Sequence, residues 1–278
     1  MSARNSYLIS RDERSLASPL AVGVISLSVG MVAGSVLSRY YSKSLARRPP
    51  YTPGQSPQLP STSGLGKKIH IFDPSKLKSA YNLMISTVTP RPIALISSRN
   101  PETQIDNLAP FSYFGTVGHD PPMLAIGFVR KSPTVQKDSL VNILKSRQFA
   151  VNIISEWYLD AANHSCGNFP PHVDEFEQSG LGKVNCEVIA APRVQQAAVT
   201  YECEVEFVHP IVNATGTPSS DIVLAKVVRI HVDQEVLIPN FDPTKPEVDT
   251  AKLKPVGRLG GNVYTTLGEL VDIPRPKV

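Results

Sequence analysis

The sequence predicts a mainly β domain with peripheral α-helices, preceded by a single N-terminal helix of the membrane type. Two observations predict the β domain. From Ser86 onward the apolar and alternating runs are short, and Pro, Gly, Asn and Asp separate them. That spacing is typical of a barrel rather than of alternating β and α units. A third observation predicts the helix, because no charged side chain occurs from Leu16 to Ser38, a run long enough to cross a bilayer core.

Composition limits the domain count and the classes of partner. The chain has 278 residues, of which 41% are hydrophobic and 19% charged, enough for one sizeable core and an appendage. The formal net charge is +4, but the cations are dispersed, so no nucleic acid partner is expected. Cys166, Cys186 and Cys203 have no CxxC spacing, which argues against a disulfide framework or a metal site and suits a reducing compartment.

The N-terminal region divides by composition. We expect a polar tail, a transmembrane helix, a basic linker rich in Pro and Ser, and a folded domain, over residues 1–15, 16–38, 39–68 and 69–278. Small residues recur every four positions along the helix, a stripe that lets two membrane helices approach closely. They are Ser26, Gly30, Gly34 and Ser38.

The charges that flank the apolar run predict its orientation. Basic residues follow it, so the positive-inside rule leaves the C-terminal domain in the cytosol. The mitochondrial outer membrane and the endoplasmic reticulum both fit such an anchor. The alternative is a presequence that is cleaved on import into mitochondria.

The domain reads as strands joined by turns. Strands are expected at 93–98, 123–129, 148–154, 199–208 and 222–232. Residues 107–116 read as a loop, a helix is expected from Ser155, and a short helix at 174–178. In the strand at 199–208 the apolar residues alternate with polar ones, so one face is expected to be buried and the other wet. The polar residues are Thr200, Glu202, Glu204 and Glu206.

Two neighbouring stretches suggest a binding site. Residues 107–116 combine Asn, Ser and Gly with aromatic rings, a composition suited to lining a flat, partly polar pocket. Residues 130–139 then bring cations and hydroxyls to the start of a helix that leads into Leu140. Unpaired amides and the helix dipole favour an anion there. The sequence therefore predicts a phosphate site.

Six blocks, in order along one domain, resemble the flavin reductase-like family of FMN-binding split barrels. They are TPRPI (89–93), NLAPFSYF (107–114), PP (121–122), KDSLVN (137–142), DEFE (174–177) and RLGGNVY (258–264). The resemblance implies an FMN-binding split β-barrel. It also implies FMN-binding residues, which are Arg91, Asn107, Ala109, Phe111, Ser112, Phe114, Lys131, Ser132, Lys137, Ser139, Asn142 and Tyr264.

Within that set the resemblance assigns roles. Residues 107–114 would lie along the isoalloxazine ring and ribityl chain. Lys131, Lys137 and Ser139, with Arg91 or Ser132, would meet the phosphate. His231 would be the catalytic candidate beside the flavin. Interpretations without a role in binding stay open for several of these residues: Arg91 as a solvated turn residue, His231 as an ordinary histidine, and the phenylalanines as core residues.

The activity that the resemblance implies is that of an FMN-dependent oxidoreductase of the flavin reductase type, which the predicted N-terminal helix would tether to a membrane. NADH or NADPH would supply hydride to the flavin, a small-molecule acceptor would receive the electrons, and the protein would be a homodimer. Two alternatives remain: an oxidase of the pyridoxamine-phosphate-oxidase type, and a non-catalytic flavin-binding adaptor. No GxGxxG motif, Walker loop or GxSxG elbow occurs in the sequence, so no common motif selects another class.

Overall fold

The computed structural model describes residues 52–56 and 68–276. The predicted tail, transmembrane helix and nearly all of the linker lie outside these described residues. Within them, no helix combines the length and the apolar character needed to cross a membrane. The chain divides into two compact units, Met1–Ile69 with Glu269–Val278, and His70–Gly268. The described residues of the first unit form neither helix nor strand.

The second unit is built on an antiparallel sheet. Its strands and short pairs are β1 (Ala94–Arg99), β2 (Asp106–Phe111), β3 (Phe114–His119), β4 (Pro122–Val129), β5 (Gln148–Ile153), β6 (Lys183–Val184), β7 (Arg193–Val194), β8 (Val199–Val212), β9 (Pro218–Val232), β10 (Gly257–Arg258) and β11 (Tyr264–Thr265). Seven strands form one sheet in the order β2, β1, β5, β8, β9, β4, β3, and β6 pairs with β7 as β10 does with β11. The mainly β prediction is confirmed.

Short helices cover the sheet. They are α1 (Tyr81–Thr87), α2 (Asp138–Ser146), α3 (Leu159–His164), α4 (Glu175–Ser179) and α5 (Thr250–Leu253), with 3₁₀ turns at Pro74–Lys76, Glu156–Tyr158 and Gln234–Val236. Helix α2 buries Leu140 and Ile143, which lie three residues apart on one helical face. It ends at Arg147, whose φ of 62° is left-handed. The predicted helix at Ser155 instead starts as a 3₁₀ turn, and α3 follows from Leu159.

The core has two main clusters, and β1 contributes to both. Ile96 packs with Phe128 and Phe149 in the first cluster, whereas Leu95 packs with Leu108 in the second. Successive side chains of a strand point to opposite faces, so β1 is covered on both sides. It therefore holds β2, its neighbour in the sheet, in a fixed position.

The prediction of a loop at 107–116 is wrong. Most of that stretch forms β2 and the start of β3, because β2 pairs with β1 from Arg99↔Asp106 to Ala94↔Phe111. A polar composition favours loops, but the ladder of backbone hydrogen bonds outweighs it here. Only the turn around Ser112 and Tyr113 joins the two strands.

The prediction of one solvent-exposed polar face at 199–208 is also wrong in part. Thr200 and Glu202 are buried, whereas Phe207 is 51% exposed. The register of β8 against β9 shifts between Glu202 and Cys203 and again between Val205 and Phe207. Bulges of this kind reverse which side chains face the core, and strict alternation in the sequence cannot reveal them.

Candidate functional site

One cleft of about 300 Å³ collects residues from several parts of the second unit. They come from α1, the segment before β1, strand β2 and its turn into β3, strand β4 and the loop after it, the start of α2, the segment after α3, helix α4 and the β10–β11 pair with its turn. The two stretches from which the sequence predicted a binding site therefore share one cleft.

The apolar lining residues of the cleft include Ile85, Ile93, Phe111 and Tyr113. Phe111 is held from behind by Phe128, with ring centroids 4.5 Å apart. Tyr113 lies over β4 because position 127 is glycine: a Cβ there would come within 3.0 Å of the Tyr113 Cβ. Aromatic faces in fixed positions suit a flat ligand.

Polar residues of the lining cluster in sequence around the start of α2. They are Lys131, Lys137, Asp138 and Ser139, and Lys131 Nζ is 2.7 Å from Asp138 Oδ2. Lys137 is the N-cap residue of α2, and its side chain makes no capping hydrogen bond. The first backbone N–H groups of a helix have no partner within the helix. These amides and the Lys137 ammonium, which is not engaged in the Lys131–Asp138 ion pair, suit an anionic group.

A buried chain of polar side chains supports the cleft from below. Glu175 of α4 accepts hydrogen bonds from Asn107 Nδ2 at 2.8 Å and from the Leu108 amide at 3.1 Å. Ser139 Oγ donates to Asn107 Oδ1 at 2.5 Å. Burial raises the pKa of Glu175, and these hydrogen bonds oppose the rise. These hydrogen bonds connect β2, which carries Asn107 and Leu108, to Glu175 of α4 and to Ser139 of α2.

The guanidinium of Arg91 is buried, with only 7% of the residue exposed. Nη1 donates to the carbonyls of Ile85 at 2.5 Å and Val88 at 3.0 Å, and Nη2 to Leu259 at 2.8 Å. Nε donates to Ser112 Oγ at 3.3 Å. Arg91 is therefore not the solvated turn residue of the alternative interpretation. Its hydrogen bonds link α1 to the β2–β3 turn, and the described contacts of its guanidinium go to protein acceptors and not towards a phosphate position.

Tyr264 is another lining residue of the cleft and one of the predicted cofactor contacts. Its hydroxyl donates to Asn163 Oδ1 at 2.7 Å, and the Arg258 guanidinium lies 4.3 Å from the ring centroid. Burial raises the pKa of Tyr264, and the Arg258 charge opposes this rise. Arg258 therefore adds a further cation to the lining of the cleft, beside Arg91, Lys131 and Lys137.

The cleft brings together nine of the residues predicted to bind a cofactor. They are Arg91, Asn107, Ala109, Phe111, Ser112, Lys131, Lys137, Ser139 and Tyr264. Three others are not among its lining residues. Phe114 faces a neighbouring groove, Ser132 is paired with Val135 in a turn, and Asn142 is buried on α2.

His231 is not among the lining residues either. Its Nε2 lies 2.5 Å from Glu202 Oε1, and its position on β9 pairs it with Thr200 of β8. Glu202 is fully buried and also accepts hydrogen bonds from the amides of residues 187–189. The catalytic prediction for His231 therefore has no geometric support, and the contacts describe a structural histidine.

Sequence reasoning missed several lining residues. Glu175 and Arg258 fall inside the blocks DEFE and RLGGNVY but were not assigned to the cofactor. Asp138 adjoins a predicted lysine, and its ion pair with Lys131 was not foreseen. Tyr81 and Phe169 lie outside every block. Only the packing of α1 and of the segment after α3 brings these two rings to the cleft.

The molecule is a mainly β protein whose cleft is lined by aromatic residues and by cationic residues. Residues 85–242 match the flavin reductase like domain, and the chain belongs to this family. This confirms the family to which the six sequence blocks pointed.

Solved structures agree with this family. Nitrilotriacetate monooxygenase component B from Bacillus cereus is 30% identical with a TM-score of 0.69, and the match covers 74% of this chain and 99% of that one. 2-Nitrobenzoate 2-nitroreductase NbaA from Pseudomonas fluorescens is 28% identical with a TM-score of 0.64, over 75% and 96%. A Shewanella frigidimarina protein described as having a split barrel domain is 17% identical with a TM-score of 0.62, over 75% and 100%. The fold is thus that of the split-barrel flavin reductases.

Proposed function

We propose that this protein is an FMN-binding oxidoreductase of the flavin reductase type that takes electrons from NADH or NADPH. The observation that carries the proposal is the shared cleft, whose lining includes the aromatic residues Phe111 and Tyr113 together with Lys131 and Lys137 near the start of α2. FMN has a flat ring system and a dianionic phosphate, so it matches both kinds of lining residue. The family of the chain supports the same cofactor.

The residues present fit this cofactor. Lys131, Lys137 and the first amides of α2 would hold the phosphate, and Phe111 and Tyr113 would face the ring. When bound, FMN would supply the redox chemistry, accepting hydride from the nicotinamide and passing electrons to a small-molecule acceptor. The chain itself positions the reactants: Asn107, Glu175 and Ser139 fix the cleft floor so that little reorganisation is needed on binding.

The visible absorption spectrum of the purified full-length protein tests the proposal. We expect a flavin spectrum, either as purified or after FMN is added, and bleaching by NADH or NADPH without oxygen. Bleaching by a primary amine or an alcohol but not by NAD(P)H would indicate the oxidase alternative. A bound flavin that no donor bleaches would indicate the adaptor. Failure to take up FMN would overturn all three readings.

We also propose that residues 16–38 anchor the protein in a membrane, with the folded domain in the cytosol. The uncharged run and the basic residues that follow it support this proposal. A C-terminal fluorescent fusion should mark the mitochondrial outer membrane or the endoplasmic reticulum, and the same fusion without residues 1–48 should be diffuse. A diffuse signal from the full chain would contradict the anchor, and loss of the first residues on import would favour a cleaved presequence.

We further propose that the protein works as a homodimer. Strand β5 pairs with β8 only as far as Glu204, so among described strands residues 206–212 are paired on one side, by β9. This edge exposes Phe207, Ile211 and Val212, and exposed apolar edge strands favour association. Sedimentation should give twice the monomer mass, and Phe207→Lys should lower it. A monomeric wild-type protein would contradict the proposal.

A further inference from the structure

A second, apolar groove adjoins the cleft. This α1 groove has a volume of about 490 Å³. It lies between α1, the segment before β1 and the β2–β3 turn. Its lining residues are Ala80, Tyr81, Met84, Val88, Pro90, Arg91, Pro92, Ser112, Tyr113 and Phe114. Arg91, Ser112 and Phe114 are also predicted cofactor contacts, whereas the other seven lining residues are not.

The groove and the cleft share a wall. Tyr81, Arg91, Ser112 and Tyr113 line both. A molecule in the groove would therefore be separated from the cleft by no more than single side chains, close enough for electron transfer between the two. That position suits a second substrate of the same reaction rather than an unrelated ligand.

The chemistry of the lining selects the occupant. Apart from Arg91 the lining residues are uncharged, and Tyr81, Tyr113, Phe114 and Met84 offer ring faces and a thioether. All four acceptors described for the Arg91 guanidinium are neutral, three carbonyls and one hydroxyl. Its positive charge therefore remains uncompensated by these contacts. Such a site prefers a neutral aromatic molecule that gains negative charge as it is reduced.

We propose that the α1 groove binds an uncharged quinone that acts as the electron acceptor, a proposal that rests on the proposed function. In the overall step the C–H bond of the reduced nicotinamide breaks and yields two electrons and one proton. With a second proton from water, these convert both quinone carbonyls to hydroxyls, giving the hydroquinone and the oxidised nicotinamide. Because its described hydrogen bonds go to protein acceptors, Arg91 would act on the charge that develops on the quinone oxygens through its own positive charge and not through those hydrogen bonds.

Charged substitutions in the groove test the proposal. Val88 and Met84 are 55% and 54% exposed, so Val88→Asp and Met84→Glu should fold. Val117→Asp is the matched control, because Val117 is 58% exposed on β3 and lies outside both lining sets. The probe is tetramethyl-1,4-benzoquinone, whose ring positions are fully substituted and cannot add the exposed thiol of Cys166.

Calorimetry and kinetics give two readouts. Titration of the full-length protein with the quinone, without donor and both with and without FMN, should show about tenfold weaker binding for the two groove variants. The ratio of kcat/KM for the quinone to that for ferricyanide, a charged acceptor that needs no apolar pocket, should fall about tenfold as well. Val117→Asp should match wild type in both.

Each other outcome overturns the proposal. Equal quinone binding by all variants would remove the groove as the site. A change in sedimentation of the groove variants, with quinone binding unaltered, would assign the groove to a subunit contact. If the protein takes up no FMN, the proposed function fails, and the flavin-free titration still shows separately whether the groove binds quinone.

Discussion

Glu202 is a polar residue whose contacts stabilise the fold. It is a fully buried carboxylate on β8. Burial alone would raise its pKa, but hydrogen bonds from Glu187, Val188 and His231 outweigh burial and hold the pKa below its usual value. A lowered pKa in the folded state means that the ionised form stabilises the fold, and that this stabilisation disappears in acid.

Glu202→Gln should therefore lower the free energy of unfolding in a pH-dependent way. At neutral pH we expect a loss of about 2–4 kcal/mol, because an amide cannot accept all of the same hydrogen bonds. The difference from wild type should be present above the unfolded-state pKa, about 4.5, and shrink as the pH falls through the lower folded-state value. Urea unfolding at several pH values measures it, and a pH-independent difference would contradict this account.

His231→Ala separates the structural role of His231 from the catalytic one. The substitution removes the Nε2 contact with Glu202, so the free energy of unfolding should fall by about 1–2 kcal/mol. The dissociation constant for FMN should stay within about twofold of wild type, since 1.4 kcal/mol would be needed for a tenfold change. Flavin fluorescence titration measures it. A large loss of FMN affinity in a stably folded variant would return His231 to the cofactor site.

Arg91→Lys tests the residue that ties α1 to the rest of the unit. The guanidinium reaches four acceptors in one geometry, and a lysine ammonium cannot reproduce that fork. We expect a loss of about 2–3 kcal/mol in the free energy of unfolding. Relative to wild type, amide hydrogen exchange should accelerate more in α1 than in α2. Unchanged exchange in α1 would show that the helix is held by other contacts.

At the scale of elements, the sequence identified the strands by their apolar runs but could not identify their irregularities. The strand at 93–98 appears as Ala94–Arg99 and the one at 148–154 as Gln148–Ile153. Strand β2 was missed because its sequence, DNLAPF, contains a proline and no regular alternation of apolar and polar residues, and it owes its conformation to pairing with β1. The bulges of β8 depend on register against β9, which is a property of two strands and not of either sequence alone.

Helix α2 offers a matched pair of lysines for testing the proposed phosphate contact. Lys137 lines the cleft, whereas Lys145, near the other end of the helix, pairs with Glu102. Lys137→Ala should weaken FMN binding about tenfold and leave riboflavin binding almost unchanged, because riboflavin has no phosphate. Lys145→Ala should change neither. Fluorescence titration with both flavins measures these constants, and equal losses for FMN and riboflavin would contradict a phosphate contact.

At the scale of the whole unit, the site depended on chain topology that the sequence does not display. The order β2, β1, β5, β8, β9, β4, β3 places neighbours far apart in sequence, and the cleft gathers residues from Tyr81 to Tyr264. The blocks that carried the family resemblance located most of the lining. Tyr81 and Phe169 join it through tertiary packing, which no local pattern encodes.

A shortened chain tests whether this unit is complete in itself. All the described helices and strands, and every residue lining the cleft, lie within His70–Gly268. A chain that begins at Lys68 should therefore keep the urea midpoint of the full protein and its FMN affinity within about twofold. A chain that begins at Ile93 lacks α1 and Arg91 and should lose FMN binding. If the chain from Lys68 unfolded at lower urea or failed to bind FMN, residues before Lys68 would have to contribute to the fold or to the cofactor site.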